Sequence, residues 1–195
     1  MRYGYPVFLD LAGQRCLVLG EGHLAEEKKE GLEAAGALVT HQRRAFAEGD
    51  LRGFFLAVAC SQNSEENARI FAEAERENVL LNCLDDPPHC RFIYPSIHRQ
   101  GDLVVAISTT GKCPALAVRL REQFGRTLGP EYAKFLEVCG RLRGRIARAL
   151  PDFATRKALW YRLVDSPSIC LFYEGRDEEA TMVLENLVGE HEKQG

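Results

Sequence analysis

Short apolar runs and longer stretches with apolar residues at helical spacing follow one another along this chain, and their order predicts an architecture. Cys16 to Leu19 is a continuous apolar run ended by Gly20, the pattern of a strand buried on both faces. A helix is expected over Ala25 to Ala35, closed by Gly36. Leu38-Val39-Thr40 reads as the next strand, Phe54 to Ala59 as a buried one, Glu65 to Glu77 as a helix, and Val79 to Asn82 as a strand with a polar end. Val7-Phe8-Leu9 has the same apolar character and is also expected to be a strand. This alternation implies an α/β fold, a Rossmann-type doubly wound parallel sheet with ligands at the carboxyl ends of its strands. Phe92-Ile93-Tyr94 and Leu103 to Ile107 are expected as antiparallel neighbours joined across Arg99-Gln100-Gly101-Asp102. From Cys113 the pattern turns helical: Pro114 suits a first turn, Ala115 to Phe124 and Pro130 to Ala149 are helices, and Pro151 ends the second.

The predicted first strand leads into Gly20-Glu21-Gly22-His23-Leu24-Ala25, a G-x-G-x-x-A turn opening a helix. Glycines there let the backbone approach a pyrophosphate, and the helix N-terminus presents N–H groups to the anion. The alternative is a tight βα turn without a ligand. The second strand of such folds normally ends at an acid that grips a ribose, but here Thr40 is followed by His41-Gln42-Arg43-Arg44. Paired arginines at that place either meet a 2′-phosphate, favouring NADP over NAD, or are exposed loop charges.

Two further loops carry candidate chemistry. Asp85 and Asp86 follow the Val79–Asn82 strand, and one carboxylate can reach the cleft while the other caps the Pro87-Pro88 turn; on composition alone a purely structural turn is the better reading for both. Ser108-Thr109-Thr110-Gly111-Lys112 precedes the Pro114 helix and suits carboxylates or phosphates, with an ordinary N-cap as the alternative.

Charge changes the picture in one segment. Residues 1–111 carry 11 Lys/Arg against 16 Asp/Glu, residues 112–148 carry 9 against 3, and the remainder 5 against 9. The basic middle fits an acidic small molecule, an acidic partner or a solvated helical face, and no interleaved aromatics point to nucleic acid. No apolar run approaches the roughly 20 residues of a membrane span, and a cytoplasmic protein is expected. The 7 cysteines form no C-x-x-C pair or disulfide framework and are expected to be reduced. His89 and Cys90 near Asp85 have no ligand spacing, so no resident metal is expected.

Taken in order, Tyr5-Pro6-Val7-Phe8-Leu9-Asp10-Leu11, Gly20-x-Gly22-x-x-Ala25-x-x-Lys28, Asn82-x-x-Asp85-Asp86, Phe92-Ile93-x-Pro95-Ser96-Ile97 and Ile107-Ser108-Thr109-x-Gly111-Lys112-x-Pro114-Ala115-Leu116-Ala117 resemble one family. It is the precorrin-2 dehydrogenase / sirohydrochlorin ferrochelatase family, the dehydrogenase module of sirohaem synthase. The motifs span about the first 125 residues. The resemblance implies oxidation of precorrin-2 to sirohydrochlorin with NAD as acceptor, and in some members insertion of ferrous iron as a second substrate. Asp85 matches the family's catalytic aspartate, and a carboxylate there can take the protons that aromatisation and metal insertion release. Gly20, Gly22, His23 and Leu24 match the pyrophosphate turn, Arg44 a position near the adenosine ribose, and Ser61 a strand-end threonine near the cofactor.

The resemblance further implies a homodimer, with residues 1–112 as the NAD(P)-binding domain, 113–150 as a dimerisation segment and 151–195 as a small helical domain. Precorrin-2 and sirohydrochlorin are rimmed by carboxylates, for which Ser108, Thr109, Thr110, Gly111, Lys112, Arg119 and Arg121 are the candidate contacts. Glu21, Arg43-Arg44 and Gln62-Asn63 depart from the family pattern and bear on cofactor choice. A non-catalytic dinucleotide- or tetrapyrrole-binding sensor or carrier, and a dehydrogenase of another polycarboxylate, are the alternatives.

Overall fold

In the computed structural model, which describes residues 4–192, the apolar run after Arg15 forms β1, Arg15–Leu19. It is followed by α1 (His23–Ala34), β2 (Leu38–Gln42), β3 (Leu56–Ala59), α2 (Ser64–Glu77) and β4 (Leu80–Cys83). The four strands are parallel in the order β2-β1-β3-β4. Because side chains alternate across a strand, β1 feeds two cores. Leu17 and Leu19 pack with Ala57, Ala59, Leu81 and the Ile70 and Ala74 face of α2. Cys16 and Val18 pack on the other side with Leu56, Val58 and the Ala25 and Leu32 face of α1. The chain steps from β1 outward to β2 and from β3 outward to β4 in opposite directions, so right-handed crossovers put the two helices on opposite faces. The expected doubly wound sheet is therefore present, with its switch point between β1 and β3.

Glycine and side-chain caps fix the connections. Gly36 closes α1 with φ 83°, and a Cβ there would lie 3.3 Å from the Ala12 Cα. Asn63 caps α2 by accepting from the Glu65 and Glu66 N–H groups, and Asn78 ends it in the left-handed conformation. No helix joins β2 to β3. Instead the turns of that crossover are pinned by Glu73, 1% exposed, whose carboxylate accepts from Gly49 N and Leu51 N at 2.8 Å each.

Two expected strands are absent. Residues 7–9 are not a strand: Val7 is 60% and Phe8 74% exposed, with no strand beside them among the described residues. An apolar run without a hydrogen-bonding neighbour gains no ladder. Phe92-Ile93-Tyr94 is likewise irregular, because Asn82 Nδ2 donates to the Phe92 carbonyl at 2.8 Å and both rings pack onto the α1 face. The strand begins only after Pro95, as β5 (Ser96–Gln100), and pairs antiparallel with β6 (Leu103–Ile107) across Gly101-Asp102.

Residues up to Tyr94 form one compact unit and those from Pro95 a second. In the second, the β5–β6 hairpin packs on α3 (Pro114–Thr127) and α4 (Pro130–Ala149). A single core joins α4 to α5 (Phe153–Val164), α6 (Ser168–Tyr173) and α7 (Asp177–Glu192), with Phe135, Leu142, Ile146, Leu159, Leu163 and Leu184 at its centre. The boundary at Tyr94 differs from the expected ones at residues 112 and 150: the hairpin goes with the helices, and α4 shares its core with the helices after Pro151.

Candidate active site

The glycine turn leaves β1 at the switch point. Gly20 has φ 108°, and a Cβ on it would meet the Cys60 Cβ at 3.1 Å, so only glycine lets the ends of β1 and β3 come this close. Gly22, at φ 93° and ψ 178°, is the N-cap of α1 in a conformation reserved for glycine. A Cβ on Gly22 would meet nothing within 4 Å, so its outer side is open to a ligand. No side chain caps α1, and the N–H groups of Glu21 and Gly22 donate to no acceptor among the described residues. These free donors, with those of His23 and Leu24 in the first helical turn, form a cradle that fits a dinucleotide pyrophosphate. Glu21 is exposed.

A cleft of about 260 Å³ opens at this turn, lined by Gly20, Glu21, Arg43, Arg44, Cys60 and Ser61 among others. It brings together the expected pyrophosphate, ribose and strand-end positions. Ser61 donates to Glu66 Oε2 at 2.6 Å, and its hydroxyl oxygen accepts from Asn63 N, which fixes the side chain at the end of β3. The two arginines are occupied. Arg43 pairs with Glu26 at 2.7 Å, and Arg44 forms a two-pronged pair with Asp50 at 2.9 and 2.6 Å. The Arg44 guanidinium, aided by Gln42 and the Ala47 N–H, holds the Asp50 carboxyl down at about 2. Both cations thus meet a carboxylate before any 2′-phosphate arrives.

Asp85 and Asp86 leave the carboxyl end of β4, and the structure separates their tasks. Asp86 Oδ2 accepts from Asn67 Nδ2 at 3.0 Å and Ser64 Oγ at 3.4 Å and lies 2.9 Å from His89 Nδ1. His89, then Asn67, hold its carboxyl below the usual range. The Cys90 thiol closes the same turn, contacting Cys83 N and O and the Asp86 carbonyl at 3.1 to 3.3 Å. Asp85, at φ 58°, is turned outward, exposed and without a hydrogen bond or ion pair among the described residues. It shares the carboxyl edge of the sheet with Gly20 and Ser61 but does not line the 260 Å³ cleft.

In the second unit, the Ser108–Lys112 loop bonds to itself. Ser108 Oγ accepts from Thr110 N at 3.0 Å and Thr109 Oγ1 from Cys113 N at 3.2 Å, with Thr110 and Gly111 at φ 53° and 79°. The N-cap of α3 is Cys113, which makes no side-chain cap, so the loop is not an ordinary serine or threonine cap. Arg119 pairs with Glu122 at 3.0 Å, whereas Lys112 and Arg121 are exposed and have no ion pair among the described residues.

All seven cysteines are free, and burial pushes the Cys60 thiol up to about 11 and Cys83 to about 12, which keeps both neutral. Among the described residues no group of three metal-ligating side chains gathers, and no helix is long and apolar enough to cross a membrane. Sequence reasoning missed Asp50, Glu66 and His41, whose imidazole Nε2 lies 2.8 Å from the Gly20 carbonyl. The one available signal was their place on the elements flanking the glycine turn.

Comparison with known proteins agrees with this geometry. Residues 7–96 match the family model described as putative NAD(P)-binding, and residues 131–188 that of the sirohaem synthase dimerisation region. The sirohaem synthase of Photobacterium profundum is 31% identical over 210 residues, covering 97% of this chain and 45% of its own length. Siroheme synthase 1 of Serratia proteamaculans is 34% identical over 200 residues, covering 92% of this chain and 42% of its own. The chain thus spans less than half the length of these relatives. The solved structure of SirC, precorrin-2 dehydrogenase, has a TM-score of 0.75 at 21% identity, covering 94% of this chain and all of that one, and so shares the fold. The two family models, which together match residues 7–96 and 131–188, and these relatives agree: the chain belongs to the precorrin-2 dehydrogenase / sirohydrochlorin ferrochelatase family, that of the dehydrogenase module of sirohaem synthase.

Proposed function

We propose that this chain oxidises precorrin-2 to sirohydrochlorin with NAD. The observation that carries the reading is the split between the two aspartates: Asp86 is tied into its turn by three side chains, which leaves Asp85 as an unpaired carboxylate at the sheet edge that holds the glycine turn. NAD, when bound, takes the hydride. The free amides of Glu21 and Gly22 and the first turn of α1 hold its pyrophosphate, and Ser61, fixed by Glu66, stands at the end of β3 beside it. Asp85 takes the proton that leaves the macrocycle with the hydride and, being exposed, passes it to water. Two hydrogens leave precorrin-2, one as hydride and one as proton, and sirohydrochlorin and NADH result.

NAD rather than NADP is supported by the pairing of Arg43 with Glu26 and Arg44 with Asp50, because a 2′-phosphate would have to displace a carboxylate already in place. Lys112 and Arg121, unpaired on the second unit, suit the carboxylates of the tetrapyrrole rim, with Arg119 and the Ser108–Gly111 loop beside them in sequence. A homodimer is supported by the match to the dimerisation region. Ferrous iron enters as a second substrate: its insertion releases two pyrrole protons, for which Asp85 is again the acceptor, and a cytoplasmic setting fits these soluble substrates.

Anaerobic absorbance with enzymatically generated precorrin-2 tests the proposal. NAD-dependent appearance of sirohydrochlorin, followed by protein-dependent sirohaem on adding ferrous iron, is expected. Ligand binding without turnover would instead assign the chain as a dinucleotide- or tetrapyrrole-binding carrier or sensor.

A further inference from the structure

His41, in β2, is a buried imidazole with a side chain 5% exposed. Its Nε2 lies 2.8 Å from the carbonyl oxygen of Gly20. A carbonyl only accepts, so Nε2 carries the proton and donates it. The other ring nitrogen, Nδ1, is buried without a hydrogen-bond partner, 3.5 Å from a Glu26 oxygen that is itself paired with Arg43. A buried imidazole with one orphaned nitrogen is a costly way to fill a covered position on an edge strand, where an aliphatic side chain would carry no such penalty. What the imidazole supplies in return is the bond to Gly20.

That bond fixes a peptide plane. The Gly20–Glu21 peptide is trans, so its C=O and N–H point in opposite directions. Within the sheet, β2 lies on one side of β1 and β3 on the other. With the Gly20 carbonyl drawn toward His41 on the β2 side, the Glu21 N–H is directed away from it, toward the β3 side, where Cys60 and Ser61 line the cleft. The Gly20 N–H is meanwhile held by the Gln42 carbonyl at 2.9 Å. Gly20 itself, at φ 108°, has no side chain to restrict its rotation, so these two bonds from β2 replace the missing steric restraint. We infer that His41 is a positioning residue of the dinucleotide site, which aims the Glu21 amide at the pyrophosphate by holding the Gly20 carbonyl. The inference rests on the dinucleotide reading above and assigns a task to a residue outside the G-x-G-x-x-A pattern.

The test compares the full-length protein with His41→Gln and His41→Leu, measuring NAD affinity by calorimetry, the thermal midpoint, and the amide proton shift of Glu21 at saturating NAD. Glutamine places an N–H donor the same number of bonds from the backbone as Nε2, whereas leucine fills the space without a donor. His41→Leu should weaken NAD by roughly tenfold or more, the worth of one donor to a charged group, and should abolish the downfield shift of Glu21. His41→Gln should restore affinity to within about threefold and recover the shift. Wild-type affinity in His41→Leu, or an equal loss in both variants that follows a drop in thermal midpoint, overturns the positioning role. Absence of NAD binding in the wild type would overturn the dinucleotide reading itself, and a separate Glu21 response keeps the two failures apart.

Discussion

Two turns leave the same edge of the parallel sheet and are built on opposite principles. The Gly20–Gly22 turn is made of backbone: its glycines have positive φ, no side chain caps the helix it opens, and the N–H groups of Glu21 and Gly22 have no acceptor among the described residues. The Asp85–Cys90 turn is made of side chains: Asp86, Asn67, Ser64, His89 and the Cys90 thiol bond to one another and to the main chain, and one carboxylate is left outside that network. The first arrangement suits an anion that must be wrapped closely, the second a group that must exchange a proton at a fixed place. Under the proposed function, binding and chemistry fall to separate parts of one edge, where each can be damaged without the other.

The largest expected effect is on the side-chain turn. Asp85→Asn keeps size and polarity but cannot take a proton, so turnover should fall by about 10²- to 10⁴-fold, with NAD affinity by calorimetry unchanged. On the backbone turn, Gly22→Ala forces a Cβ into φ 93° and ψ 178°, a strain of about 1–3 kcal/mol. It should weaken NAD roughly tenfold while leaving turnover at saturating NAD within about threefold of wild type. Asp86→Ala removes the three polar contacts that hold the second turn, and kcat should drop about tenfold, with the NAD dissociation constant unmoved. A smaller effect is expected at Arg44. Because its charge is committed to Asp50, Arg44→Ala should weaken NAD and NADP equally, by less than about threefold, and a selective loss of NADP would show that the arginine reads a 2′-phosphate.

The least effect is a pH dependence. Asp50 is depressed from 3.8 to about 2 in the folded chain, so its contribution to stability is complete above the ordinary value and fades as pH falls through about 2. The stability difference between wild type and Asp50→Asn, followed by chemical denaturation, should therefore stay level above about pH 5 and shrink from there toward pH 2.

The same contrast explains what was legible in the sequence. Strands buried on both faces are continuous apolar runs, so β1, β3 and β4 could be read to within about two residues, and Gly36 and Pro151 marked helix ends. Val7–Leu9 and Phe92–Tyr94 had the composition of strands, but a strand also needs a neighbour, and no local pattern records one. The backbone turn was readable because positive φ demands glycine at fixed spacing. The side-chain turn was half readable: an aspartate before two prolines signals a capped turn, and Asp86 does stand at the N-cap position, but its carboxylate caps no backbone N–H and instead bonds to His89, Ser64 and Asn67, the last two 22 and 19 residues away. The ion pairs of Arg43 and Arg44 were likewise invisible, since Glu26 and Asp50 meet them only once α1 and the β2–β3 crossover are folded. A count of charges overstated what those arginines have to offer an incoming anion.

The most direct measurement is an anaerobic single-turnover absorbance experiment with precorrin-2, comparing Asp85→Asn with Gly22→Ala across NAD concentrations that include saturation. The account predicts that Gly22→Ala forms sirohydrochlorin at near wild-type rate once NAD saturates, while Asp85→Asn binds NAD normally and forms almost none. Near-normal turnover by Asp85→Asn at any NAD concentration would contradict it.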